Sequence, residues 1–223
     1  MKYLLPLLMC ASLAQAQLKP EIFASSEPGA FLLLWKPQTG QEEMKWSLAP
    51  NQSKLQWMGK PIAGGGHEGT IQFISGSVTV SATGLITQGE LVVDMNTIKS
   101  TDIKPESSAK DLEDHLKSDD FFSVAKYPRA NFSILKVIPE AGFTPTQKAK
   151  VTGLLTIKGI TNQVTFPATI IREKGEFQVK AELTIDRTKW DIIYQSKSIF
   201  TNLKDGIISD EIKITVDLKF VGC

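Results

Sequence analysis

The sequence predicts a mainly β fold: about eight antiparallel strands closing into a barrel or stacking as a sandwich, with one short helix. Three observations carry that prediction. Apolar and polar residues alternate with period two along much of the chain from Trp46 onward, the mark of strands with one buried face. Turn-forming residues separate these runs, and such short links join antiparallel neighbours, because parallel pairs need a crossover of a dozen or more residues. A single segment, 109–117, has helical spacing instead.

Taken in order, strands are expected near 55–60, 70–80, 85–95, 132–137 and 151–158. Val164, Phe166, Ala168 and Ile170 then alternate with polar residues, although Pro167 restricts which positions there donate to a ladder. The clearest strand places Phe177, Val179, Ala181, Leu183 and Ile185 on one face. The last one repeats the pattern with Ile212, Ile214, Val216, Leu218 and Phe220. Turns fall at Ser81-Ala82-Thr83-Gly84, at Lys158-Gly159-Ile160-Thr161-Asn162 and at Glu173-Lys174-Gly175-Glu176. In the helical segment, Ser108 is positioned to cap with Asp111 three residues on, and Leu112 and Leu116 share a face. Phe121, Phe122 and Tyr127-Pro128 follow, an aromatic link suited to bordering one end of a barrel.

The N-terminus reads differently. Met1-Lys2-Tyr3, an apolar stretch from Leu4 to Leu13 and then Ala14-Gln15-Ala16 describe a secretory signal peptide. The apolar run falls well short of the roughly 20 residues a membrane-spanning helix needs. Cleavage after Ala16 is expected, and with it export to the periplasm or the medium. Cys10 offers a lipoprotein alternative, disfavoured because Met9 stands where a small residue is wanted. Removal of the signal leaves Cys223 alone, so no internal disulfide supports the fold. Residues 17–45 form an N-terminal extension of linker chemistry around Phe31-Leu32-Leu33-Leu34-Trp35. That apolar run is expected to pack on the barrel or, alternatively, to touch an envelope partner. The barrel domain is expected over 46–221.

Composition and motifs narrow the function. The chain has 25 Lys and Arg against 24 Asp and Glu; such a neutral balance without a basic run argues against nucleic acid as partner. Only two histidines occur, His67 and His115, with no H-x-x-x-H or C-x-x-C spacing, so no metal site is expected. Gly64-Gly65-Gly66-His67 lacks the lysine and following helix of a phosphate loop, and no G-x-S-x-G elbow appears. No catalytic residue is assigned.

Several blocks carry a family resemblance. His115-Leu116-Lys117-Ser118-Asp119-Asp120-Phe121-Phe122 with Tyr127-Pro128-Arg129-Ala130-Asn131-Phe132 resembles the central signature of the YceI-like family. Trp57-Met58-Gly59-Lys60 with His67-Glu68-Gly69, the stretch 151–159, and Ile185-Asp186-Arg187-Thr188-Lys189-Trp190 through Tyr194-Gln195-Ser196 resemble other family blocks in the same order. The resemblance implies a single, extended, lipocalin-like antiparallel barrel whose long apolar channel holds a polyisoprenoid or similar amphiphile, with no other cofactor. It also leaves a homodimer open. On alternation, Trp57, Phe73, Leu91, Val93, Phe132 and Ile134 are candidates to line that channel. Leu155, Ile157, Phe166, Phe177, Val179 and Trp190 complete the set. Each is equally compatible with a barrel filled by its own side chains. His115, Arg187 and Tyr194 are candidates for a mouth or head-group site, with a loop-anchoring role the favoured reading of Arg187.

Overall fold

The structure is a computed structural model that describes residues 43–61, 65–140, 146–173, 176–196, 198–199 and 207–222. The expected signal peptide, Cys10, the 31–35 run and Cys223 lie outside the described residues. Among the described residues, nine strands and one α-helix follow one another: β1 (Met44–Leu48), β2 (Lys54–Pro61), β3 (His67–Val80), β4 (Ile86–Ser100), α1 (Glu106–Lys117), β5 (Arg129–Pro139), β6 (Thr146–Ile157), β7 (Ile160–Glu173), β8 (Glu176–Asp186) and β9 (Ile208–Gly222). The named strands pair antiparallel, and the sheet closes because β3 bonds β4 as well as β2.

Nine strands make eight staves. β1 and β2 both lie between β3 and β9, Met44 opposite Val80 and Leu55 opposite Ile71, so they are two lengths of one stave. A 3-10 turn at Pro50–Gln52 interrupts it. Ser53 repairs the break: its hydroxyl donates to the Ala49 carbonyl at 2.9 Å and accepts from the Lys219 N–H at 3.0 Å. β1 begins at Met44, so the expected boundary at residue 45 falls inside a strand that belongs to the barrel.

A second irregularity sits at Pro167. β7 pairs with β8 only from Ala168 to Glu173, while it pairs with β6 from Ile160 to Ile171. Proline has no N–H to give the ladder, and below it β7 and β8 part. The 3-10 turn Arg187–Trp190 fills the gap. The Asn162 amide donates to the Lys189 carbonyl at 2.8 Å, and the Trp190 indole N–H donates to the Leu155 carbonyl at 3.1 Å.

The two ends of the barrel differ. At one, Phe177 packs its ring against Trp46 and Phe220, with centroids 5.6 and 5.5 Å apart. Arg172 lies over the Phe177 ring and donates to the Gly84 carbonyl, tying β7 to the β3–β4 turn across that end. At the other end α1 packs along β4 and presents Leu112 and Leu116 inward. The helix starts three residues before the expected 109. Pro105 precedes it and Ser108 lies in the first turn, where its N–H donates to the Pro105 carbonyl at 3.0 Å; it is not the cap. Phe177→Ala removes the centre of the closed end and is expected to cost about 3–5 kcal/mol, read as a lower midpoint in urea with an unchanged slope.

Candidate functional site

The interior holds two adjoining chambers, with lining residues in common. The first encloses about 150 Å³ and runs along the barrel between all the staves. Phe73 of β3, Leu91 and Val93 of β4, and Phe132 and Ile134 of β5 line one side. Leu155 and Ile157 of β6, Phe166 of β7 and Val179 of β8 line the other. β9 contributes Ile212, Ile214, Val216, Leu218 and Phe220, every second residue of the strand. That row alone covers eight residue steps, about 26 Å at the usual rise of a strand. Glu90 and Asn131, both solvent-exposed, are the polar residues that touch this chamber. Space for Phe132 comes from Gly153 across the β5–β6 ladder: a Cβ there would sit 2.4 Å from the ring, which packs on Phe166 with centroids 5.7 Å apart.

The second chamber, about 270 Å³, lies under α1 and shares Ile71, Phe122 and Ile212 with the first. Its character changes along the same strand faces. β2 turns from Leu55 to Trp57 and Gly59, β3 from Phe73 and Ile71 to His67, and β8 from Leu183 and Ile185 to Arg187. Leu112, Leu116 and Phe121 close it from the helix side. Trp57, expected in the apolar channel, thus lines the second chamber, and its indole N–H is buried with no partner among the described residues.

A histidine–carboxylate hydrogen bond and a buried ion pair shape this end. His67 Nδ1 lies 3.0 Å from Asp102 Oδ2. Partial burial pushes the Asp102 carboxyl upward, but hydrogen bonds from His67, Ser100 and the Glu68 N–H outweigh it and hold the group below its ordinary value. Arg187 is only 1% exposed. Its guanidinium donates to the carbonyls of Ile192 at 2.9 Å, Ser209 at 3.0 Å and Ile208 at 3.2 Å, and faces Asp210 at 3.4 Å. Burial lowers its proton affinity, opposed by Asp210 and Asp186. Arg187 therefore ties the start of β9 to the turn after β8, the loop-anchoring arrangement.

The remaining expected residues fall elsewhere. Phe177 does not line the cavity; it forms the closed end with Trp46 and Phe220, because the inward row of β8 reaches past the chamber there. Trp190 is buried outside the bore in the gap beside Pro167, held by its bond to Leu155. His115 and Tyr194 pack edge-to-face, 4.8 Å between centroids, and His115 meets Phe121 at 5.0 Å. They support a chamber wall from behind and are not among the residues lining it. His67, weighed in sequence as a metal or catalytic histidine, lines the chamber together with Arg187. Its parity with Phe73, six residues away along β3, is the signal that would have placed it.

A closed antiparallel sheet around an apolar bore defines a ligand-binding β-barrel. The chain belongs to the YceI-like family: the sequence model of the YceI-like domain matches residues 46–220. A search of curated proteins gave no match. Among solved structures, Burkholderia cenocepacia BcnA is similar at TM-score 0.62 and 24% identity, over 77% of this chain and 98% of its own. A polyisoprenoid binding domain from Saccharophagus degradans, implicated in plant cell wall breakdown, is similar at TM-score 0.58 and 16% identity, over 81% of this chain and 99% of its own. At these identities the likeness is one of fold.

Arg187→Met leaves three backbone carbonyls and Asp210 without their donor, and a loss of about 3 kcal/mol in urea unfolding is expected. Acid sensitivity follows from Asp210. Burial raises its pKa, but hydrogen bonds from Ser198 and Ser196 and the charge of Arg187 bring it below the ordinary 3.8. A carboxyl depressed in the folded state stabilises above its unfolded pKa and loses that contribution as pH falls through the folded value. Stability is therefore expected to drop as pH falls below about 4, and less steeply in Asp210→Asn than in the parent when both are titrated by thermal melts.

Proposed function

We propose that this protein binds the apolar tail of a long-chain amphiphilic lipid, of polyisoprenoid type, inside the barrel and carries or stores it as an exported protein. The single observation behind this reading is the bore itself: an apolar face about 26 Å long on β9, matched by the facing staves, that ends in a chamber with polar groups. A volume near 150 Å³ drawn out over that length is a narrow bore, suited to a slender chain rather than to fused rings. Apolar contact alone suffices to hold such a chain, at about 0.8 kcal/mol for each methylene removed from water. The polyisoprenoid binding domain of Saccharophagus degradans, built on the same fold, supports the choice of a prenyl chain. Export rests on the charged start, short apolar run and Ala14-Gln15-Ala16 of the N-terminus.

Protein purified from its host's cell envelope is expected to release a stoichiometric isoprenoid on organic extraction and to carry its mass in native mass spectrometry. Phe73→Asp or Phe132→Asp places a charge in the bore, and at least a hundredfold loss of lipid is expected, with folding followed by circular dichroism. A parent protein that emerges empty from the same preparation rules the reading out. N-terminal sequencing of the same material is expected to begin at Gln17.

A further inference from the structure

Beside the second chamber lies a buried donor without an acceptor among the described residues. Trp57 and Gly59 alternate along β2, opposite Gly69 and His67 of β3. Trp57 and His67 are therefore diagonal neighbours on one face of the ladder, within reach of a small group lodged between them. Gly59 lies in that interval, and a Cβ built on it meets no atom within 4 Å. The space above Gly59 is open chamber. The Trp57 indole N–H is buried and finds no acceptor among the described residues, although a desolvated donor of this kind is costly to leave unpaired.

His67 supplies the complementary half. Its Nδ1 is engaged by Asp102 at 3.0 Å, so in the neutral ring Nδ1 carries the proton and Nε2 accepts. Charge at the chamber weighs against an anion. With His67 neutral, Arg187 is the cation among the lining residues, and its guanidinium is engaged by three backbone carbonyls and Asp210. Asp102, which binds His67, adds negative charge, as does Glu113, which accepts from the Ser100 N–H at 3.1 Å.

We propose that this chamber is a head-group site for an uncharged hydroxyl, which accepts from Trp57 Nε1 and donates to His67 Nε2, and that it discriminates against phosphorylated heads. This rests on the lipid-binding reading above: the tail occupies the first chamber and the hydroxyl reaches the second past Ile71, Phe122 and Ile212. A prenyl alcohol is the ligand class that satisfies both halves.

The test compares three probes of equal chain length on delipidated full-length protein at pH 8: geranylgeraniol, geranylgeranyl diphosphate and the head-less hydrocarbon phytane. Binding is read by native mass spectrometry and by competition. The alcohol is expected to bind at least tenfold more tightly than either other probe. Trp57→Phe removes the N–H together with part of the indole, and should weaken the alcohol about tenfold more than it weakens phytane, which senses only the lost packing. Gly59→Leu starts from a Cβ that meets no atom within 4 Å and fills the space above it, and should bring the alcohol down to the affinity of phytane with the melting temperature retained. Equal or tighter binding of the diphosphate, or an alcohol affinity untouched in Trp57→Phe, overturns the head-group assignment and leaves tail binding standing. Failure of all three probes to bind overturns both.

Discussion

With β9 hydrogen-bonded to β1 and β2 on one side and to β8 on the other, and β3 returning to β4, every stave has two neighbours. That closure is the constraint from which the rest follows. A closed sheet has no exposed edge to pair with other chains, and it divides each strand into residues that meet the interior and residues that meet water. Eight staves is the size at which an interior is either filled by its own side chains or left able to hold one small ligand. Here both happen. Trp46, Phe177 and Phe220 fill one end, and the bore remains open beyond them.

The closure is maintained through local breaches, each repaired by a specific side chain. The interrupted stave between β1 and β2 is held to β9 by the Ser53 hydroxyl. The parting of β7 and β8 below Pro167 is sealed by Trp190 and Asn162. The start of β9 is tied to the turn after β8 by a buried guanidinium whose donors go to backbone carbonyls. In all three places a polar group does what an uninterrupted ladder would otherwise do. The bore can therefore stay apolar, because the hydrogen bonding that irregular backbone requires is met in the wall.

The polarity gradient along the interior gives the barrel a direction. On β2, on β3 and at the turn that follows β8, the inward rows that are apolar in mid-barrel lead to Trp57, His67 and Arg187 under α1. An amphiphile placed with its tail toward Phe177 meets polar groups only at its head. The helix and its following link supply the roof through Leu112, Leu116, Phe121 and Phe122, with His115 and Tyr194 buttressing Phe121 from outside. Residues identified in sequence as a possible mouth thus act one layer behind it.

Alternation by itself determined the strands, the class of fold and much of the bore: Phe73, Leu91, Val93, Phe132, Leu155, Phe166 and Val179 were legible because period two assigns a face without reference to any partner. The helix was legible from the spacing of Leu112 and Leu116. Only the tertiary structure decided where the inward phase changes. Irregular pairing between Phe73 and Ser75, and again between Ile134 and Lys136, moves the inward row from odd to even on β3 and from even to odd on β5. Val78 and Val137 accordingly line the cavity while Ile74 and Leu135 face water. A bulge is a property of two strands in register, and one strand's pattern does not contain it. The same holds for depth along the axis. Phe177, Val179 and Ile185 read alike in sequence, yet closure of the sheet makes one an end plug and the others wall, and it carries Trp190 out of the bore into the gap that Pro167 opens.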